Sequence, residues 1–390
     1  MRGLSSAGDL AGKRVLVRVD FNVPIENGLV GEDARIRAAL PTIDFLRRAG
    51  AKLILLSHLG RPKGLPDPQL RLDPVAARLT ELLQVPVKKL DDCIGSSIES
   101  AVAQMRNGEL VLLENTRFHP GEKKNDPEFV AQLARLGDLF VNDAFGAAHR
   151  AHASNFGLAQ VLPSFAGLSL EKEVESLSAI LENPKKPLVL ILGGAKIDTK
   201  IGVLQKFAEL AETILLGGGL ANTFLAAQGF GVGASLFEPD KLELAREILK
   251  LAEKFACQIV LPSDALCAPD FNSPAQKFST TAIPNGQKIL DLGERAIHDF
   301  VAIIQKAGMV VWNGPVGLFE KENFAKGSRA IAEACAASSA DTILGGGDTL
   351  AALTQFQIPA EKFTHVSTGG GAMLEFLEGK KMPALEILEK

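Results

Sequence analysis

The sequence predicts an α/β protein of two lobes, each a three-layer αβα unit around a mainly parallel sheet, with a single helix where the two halves meet. Three observations predict this. The chain of 390 residues is longer than one ordinary core accommodates. Short apolar runs alternate with stretches of helical spacing, the pattern of parallel strands covered on both faces. The C-terminal half also repeats one device four times, an apolar run that ends in glycines ahead of a helical stretch. It occurs in LVLILGGAKIDTK from Leu188, TILLGGGLANTF from Thr213, DTILGGGDTL from Asp341 and HVSTGGGAMLEFL from His365.

Composition narrows the function classes. Hydrophobic content of 46% and charged content of 23% describe a soluble globular protein. A net charge of −4 gives no global basic signature, which argues against nucleic acid and anionic membrane as partners. An anionic ligand must then be gathered by a local cluster. Cys93, Cys257, Cys267 and Cys335 lie far apart without metal-ligand spacing and read as reduced, mostly buried thiols of a cytosolic protein. The opening MRGLSSAGDL lacks the apolar core of a signal peptide, and no run approaches a membrane span, so a cytoplasmic location is expected. With no tyrosine and one tryptophan, Trp312, aromatic stacking is not the main binding device.

In chain order, Arg14 to Val19 reads as a strand ending in Asp20-Phe21-Asn22-Val23-Pro24, and a helix from Ala34 is closed by Gly50. Lys52 to Leu56 ends in Ser57-His58-Leu59-Gly60-Arg61-Pro62. A helix near Pro74 to Leu83 leads to a short strand at Val85 to Val87. Leu110 to Leu113 ends in Glu114-Asn115-Thr116-Arg117, the stretch GEKKNDPEF reads as a polar loop before a helix, and Leu139 to Val141 runs into a segment carrying His149 and Arg150. In a parallel sheet these ends share one edge. That edge would gather Asp20, Asn22, His58, Arg61, Asn115, Arg117, His149 and Arg150, a cup for a small, multiply anionic molecule, because arginine's planar fork suits carboxylate and phosphate. Asp20 and Asn22 suit a hydroxyl instead.

Ser169 reads as the cap of a helix that Pro184 and Pro187 end, either a hinge between two cups or a helix within one larger domain. Beyond it, each glycine turn should feed a helix N-terminus and leave backbone N–H groups free for an anion. Asp348 would cap its helix or hold a metal ion that accompanies a phosphate chain. Lys196 and Lys200, at i and i+4, would share a helical face as phosphate ligands or form surface pairs. Glu320 reads as a surface charge or a ribose-hydroxyl acceptor. No segment satisfies the Walker pattern Gly-x-x-x-x-Gly-Lys-Ser/Thr, and the dinucleotide pattern fails because Asn222, Leu350 and Leu374 stand where its third small residue should be.

The motifs RVDFNVP, SHLGRP, ENTRFHPGE, NDAFGAAHRAHAS, GGAKIDTK, VWNGPVG, GGGDT and STGGGA, in this order, resemble the phosphoglycerate kinase family from about Arg14 to the C-terminus. The resemblance implies reversible phosphoryl transfer between 1,3-bisphosphoglycerate and ADP as its Mg2+ complex, by a monomer with two Rossmann-like lobes. It implies an N-terminal lobe over residues 1–169 and a nucleotide lobe over 170–378 that begins with the hinge helix 170–183. A tail, 379–390, would return to the first lobe. On matching positions, Asp20, Asn22, Arg35, His58, Arg61, Arg117 and Arg150 would hold the triose phosphate. Lys196, Lys200, Glu320 and the turn Gly345, Gly346, Gly347, Asp348, Thr349 would hold the nucleotide, with Asp348 on the metal. Arg35, Lys196, Gly346 and Gly370 would surround the transferred group. Met373 is a departure, standing where many relatives carry serine.

A carboxylate of 3-phosphoglycerate is already a nucleophile, so catalysis would rest on positioning and charge neutralisation, without a base. Two other classes fit less of the sequence. A non-catalytic anion-binding protein needs neither Asp348 beside three glycines nor the lysine pair, and a nicotinamide-dependent dehydrogenase lacks its fingerprint glycine.

Overall fold

The structure, a computed structural model, describes residues 1–389 and divides into two compact units, Met1–Glu175 with the chain from Lys381 onward, and Ser176–Lys380. The division falls within the helix Leu168–Glu182.

In the first unit six parallel strands lie in the spatial order Lys88–Lys89, Leu110–Leu112, Lys52–Leu56, Arg14–Val19, Leu139–Asp143, Ser164–Ala166. The Arg14 strand is central because it is apolar on both faces. Val15, Val17 and Val19 pack with Ile36, Ile43, Leu53 and Leu79 on one side, and Leu16 packs with Ile54, Leu133 and Phe140 on the other. Register aligns Arg18 with Leu56 and Asn142, so the segments after these three strands emerge at one edge. The chain from Lys381 onward belongs to this unit. Met382, Leu385 and Leu388 are buried, and the Ala384 amide donates to Ala148 O at 3.2 Å.

In the second unit the spatial order is Gln258–Val260, Thr213–Leu216, Leu188–Leu192, Met309–Asn313, Asp341–Gly345, His365–Ser367, again all parallel. Counted along the chain, this is the order 3-2-1-4-5-6 of a Rossmann sheet. Such a sheet binds ligands where the order reverses, here between the ends of the Leu188 and Met309 strands. Three antiparallel strands, Asp264–Ala268, Gln276–Ser279 and Lys288–Leu292, form a separate small sheet that the sequence pattern did not disclose.

Several local expectations are corrected. The strand expected at Val85 to Val87 forms at Lys88–Lys89, since Pro86 has no N–H for a ladder. The stretch GEKKNDPEF is not a loop but holds most of the helix Pro120–Lys124 and the start of Pro127–Ala134, the second capped by Asp126, whose Oδ1 accepts from the Glu128 and Phe129 amides. Ser169 does not cap the helix expected to follow it. It lies in the first turn of Leu168–Glu182, and Asp143 Oδ1, from the end of a strand, accepts from the Ser169 and Leu170 amides at 2.9 and 3.0 Å. The first glycine turn feeds no helix directly. The helix begins at Ile201, so Lys196 and Lys200 do not share a helical face.

Candidate functional site

The strand ends of the first unit build a basic edge from a few backbone-anchored side chains. Asn22 Oδ1 accepts from the Gly60 amide at 2.8 Å, which fixes the Leu59–Arg61 loop beside the end of the Arg14 strand. Arg117 donates to Gly60 O at 2.7 Å, and Asn115 accepts from the Arg117 amide. Arg35, in the first turn of the helix Ala34–Arg48, donates to Asn22 O at 3.0 Å and pairs with Asp20 at 3.4 Å. A helical residue thus joins the strand-end cluster because its helix starts next to that strand. Arg150 is exposed, its Nε 2.9 Å from His149 Nε2, and Arg61 is exposed. The cluster brings together Asp20, Asn22, Arg35, Gly60 and Arg117. A neighbouring cavity of about 670 Å³ shares only Asn22, Val23, Leu59 and Gly60 with these loops and holds none of the predicted arginines, so the edge itself is the better candidate for an anion.

Beneath the edge lies a residue that the strand pattern hid. Arg18 reads as a polar position of an alternating strand, yet it is wholly buried. It donates to Ser154 Oγ at 2.8 Å, to Val19 O, and to His58 Nδ1 at 2.9 Å. Arginine has no acceptor, so His58 Nδ1 must accept, and the ring proton sits on Nε2. Burial, then the charges of Arg18, Arg117 and Arg35, hold His58 well below its ordinary range, so it is neutral. Burial and neighbouring arginines likewise push His152 down to about 3 and Arg117 down to about 10. An edge that lowers these cations is one that favours an incoming anion.

In the second unit the four glycine turns divide into two kinds. The first two spend most of their amides on the fold, Gly219 excepted. Gly193 and Gly194 donate to Asn313 O and Pro315 O at 3.1 and 2.9 Å, and Gly217 and Gly218 donate to Leu192 O and Val316 O. Glycine is required here by close approach, since a β-carbon on Gly193 would stand 1.9 Å from Pro315 O. The other two keep their amides. Gly346 and Gly370, both with positive φ, precede the helices Gly347–Phe356 and Gly371–Leu377, and neither they nor Gly347 and Gly371 donate to a backbone acceptor among the described residues. These amides and the helix N-termini offer the anion site that sequence assigned to all four turns.

The side chains sort in the same way. Lys200 is buried and donates to Gly193 O at 2.5 Å and to Asn313 O and Oδ1 at 3.0 Å, tying the two strand ends at the reversal. Burial lowers it to about 8, against the pull of Asp348. Thr349 is buried too, accepting from the Gly314 amide and donating to Gly345 O. Lys196 is exposed, lining a cavity of about 350 Å³ with Gly346, Gly347, Asp348, Gly370 and Gly371. Asp348 makes no cap bond. It is exposed at the second helical position and also lines the adjoining, more apolar cavity of about 650 Å³, which Leu236, Leu318 and Glu320 help to form. Met373 is wholly buried, and its Sδ fills the space where a side chain on Gly345 would go, 2.1 Å from such a β-carbon.

One buried carboxyl organises the rim of that larger cavity. Asp291 Oδ2 accepts from the Gly327 amide at 2.9 Å, capping the helix Lys326–Ala337, while its Oδ1 stands against Gly317 without a hydrogen bond. Burial raises its pKa from 3.8 to about 7. Between those values the folded chain keeps a proton that the unfolded chain has lost. The stabilising contribution is therefore complete below 3.8 and is lost as pH rises to about 7. Asp291→Asn removes this titration and keeps the capping oxygen. Thermal melts of variant and parent across that range should show the difference moving in the variant's favour as pH rises; a constant difference contradicts the shift.

Against known proteins, the family described as Phosphoglycerate kinase matches residues 5–380. A phosphoglycerate kinase of Moorella thermoacetica is 51% identical over 382 residues, 97% of each chain, and one of Dictyoglomus turgidum is 51% identical over 388 residues, 98% of this chain and 96% of the other. Among solved structures, the phosphoglycerate kinase of Coxiella burnetii superposes with a TM-score of 0.88 at 41% identity, covering 99% of this chain and 98% of that one. With a family match and half-identical relatives spanning nearly the whole chain, and with a solved member of the family superposing over nearly its full length, the protein belongs to the phosphoglycerate kinase family.

Proposed function

We infer that the chain catalyses reversible transfer of the acyl phosphate of 1,3-bisphosphoglycerate to MgADP, giving 3-phosphoglycerate and MgATP. The observation that carries this reading is the pairing of two unlike anion sites in one chain. One is an arginine edge without a candidate base, the other a pair of glycine turns with free amides beside an apolar cavity. In this reading Asp20, Asn22, Arg35, His58, Arg61, Arg117 and Arg150 bind the triose phosphate. His58 does so through Nε2–H, because Nδ1 is taken by Arg18. The Gly346, Gly347, Gly370 and Gly371 amides and Lys196 receive the phosphate chain, and Glu320 the ribose. Gly345, Thr349 and Lys200 contribute by holding the turn rather than by side-chain contact, since their polar atoms are already bonded within the fold.

The carboxylate nucleophile needs no deprotonation, so the protein's work is alignment and neutralisation of the phosphoryl oxygens, by Arg35 from one unit and Lys196 with the glycine amides from the other. Mg2+, which takes carboxylate and phosphate oxygens and neutralises the phosphate chain, suits Asp348, an exposed carboxylate without a cap bond beside those amides. Asp348→Asn should raise the Mg2+ concentration at half-maximal rate; titration at fixed ADP reads it, and an unshifted midpoint removes Asp348 from the metal. The enzyme is proposed to act as a cytoplasmic monomer whose units close about the hinge helix once both ligands are bound.

The test is formation of ADP from ATP in a coupled assay. It should depend on 3-phosphoglycerate and be absent with either substrate alone. ATP hydrolysis independent of 3-phosphoglycerate, or no turnover, contradicts the reading.

A further inference from the structure

Among the described residues one group joins ligand atoms of three kinds, the Asp92 carboxylate, the Cys93 thiol and the His119 imidazole, all within 4.8 Å of one another. They come from two segments far apart in sequence. Asp92 and Cys93 lie between the strand Lys88–Lys89 and the helix Ser96–Ala103, and His119 immediately precedes the helix Pro120–Lys124. All three are held in place. Asp92 Oδ1 accepts from the Cys93 amide at 2.6 Å and lies 2.7 Å from His119 Nε2. The His119 ring stacks on Phe129 with 4.8 Å between centroids. Cys93 is fully buried, with Sγ 2.8 Å from Glu114 O.

We propose that these residues form a binding site for a borderline divalent ion of the Zn2+ kind, with Cys93 Sγ, His119 Nε2 and an Asp92 oxygen as ligands and water in the fourth position. A surface Asp–His pair and a buried cysteine are each ordinary by themselves. Their convergence is not, since it places sulfur, nitrogen and oxygen donors together where only Asp92 and His119 reach solvent. Ligands of a tetrahedral Zn2+ lie about 3.3–3.6 Å apart, given bonds of about 2.0–2.3 Å. The group is close enough to reach this by small side-chain rotations.

The donor set also sets the metal class. Thiolate and imidazole select Zn2+-like ions over Mg2+ and Ca2+, which prefer oxygen alone. As the S–metal bond forms, the Cys93 proton passes to solvent, and Glu114 O loses the S–H. The bound ion would clip the connection ahead of the Ser96–Ala103 helix to the segment after the Leu110–Leu112 strand.

The full-length protein, stripped with a chelator and titrated with Co2+, tests this. Thiolate ligation gives a near-ultraviolet charge-transfer band, and tetrahedral geometry gives intense visible bands. Both should saturate, be displaced by Zn2+, and accompany a rise in melting temperature. Asp92→Asn and His119→Gln, at the two accessible positions, should each weaken Co2+ binding by at least about tenfold. Cys93→Ser should abolish the charge-transfer band. If that buried substitution does not fold, the other two variants decide. No thiolate band at saturating Co2+, or a band unchanged in both Asp92→Asn and His119→Gln, overturns the site.

Discussion

Replacing Arg35 with alanine is expected to lower kcat by about 10²–10³-fold, the usual loss when one preorganised donor to a developing charge is removed. Nucleotide affinity should hardly change, because the residues proposed to hold the nucleotide lie on the other unit. The fold gives Arg35 a defined resting place, 3.0 Å from Asn22 O and 3.4 Å from Asp20, close to the strand ends proposed to hold the triose phosphate. Its guanidinium is only partly exposed, so the side chain is poised rather than free. Steady-state kinetics with a separate measurement of ADP binding checks this. A normal kcat with only a raised KM would reduce Arg35 to a binding residue, and unaltered kinetics would remove it from the site.

The second large effect is structural. Gly193→Ala puts a methyl group 1.9 Å from Pro315 O and 2.7 Å from Gly314 O, against backbone that cannot rotate away. Overpacking typically costs about 1–3 kcal/mol, and a contact with backbone belongs at the upper end, a fall of roughly 6–12 °C in melting temperature for a unit of this size. The strand ends that must part are those Lys200 ties together through Gly193 O and Asn313. Activity should therefore fall along with stability, and to a greater degree than through unfolding alone. Melting and activity at a temperature where the variant is still folded separate the two. A variant as stable and active as the parent would mean the strand ends are free to part.

The sheets were legible because their strands are buried on both faces, and an apolar run such as Leu188–Leu192 needs no partner to be recognised. What is set by distant residues was not. The hinge helix is capped by Asp143, the Glu294–Ile304 helix by Asp264, and the Lys326–Ala337 helix by Asp291, each from another element, so a search for adjacent caps fails. The four glycine turns look alike in sequence, yet whether an amide is spent depends on which carbonyl oxygens of distant segments, such as Asn313, Pro315 and Val316, it meets. Arg18 is the same problem inverted. Its strand position suggests solvent, and only the arrival of Ser154 and His58 explains a buried guanidinium. Arg35 was reached through the resemblance and not through strand-end spacing, since it stands on a helix.

In the proposed reaction the phosphoryl group passes between sites carried by separate units, and a near-attack arrangement would require the attacking oxygen to come within about 3 Å of phosphorus. A ligand shifts such an equilibrium only by its differential affinity for the closed state. At the proposed sites, triose phosphate or nucleotide alone would contact mainly its own unit and have little such difference, whereas both together would engage Arg35, Lys196 and the glycine amides at once. Small-angle scattering of the free, singly liganded and doubly liganded protein measures this directly. The radius of gyration should fall clearly only with 3-phosphoglycerate and the nucleotide both bound; full contraction with the nucleotide alone, or none with both, would contradict the account.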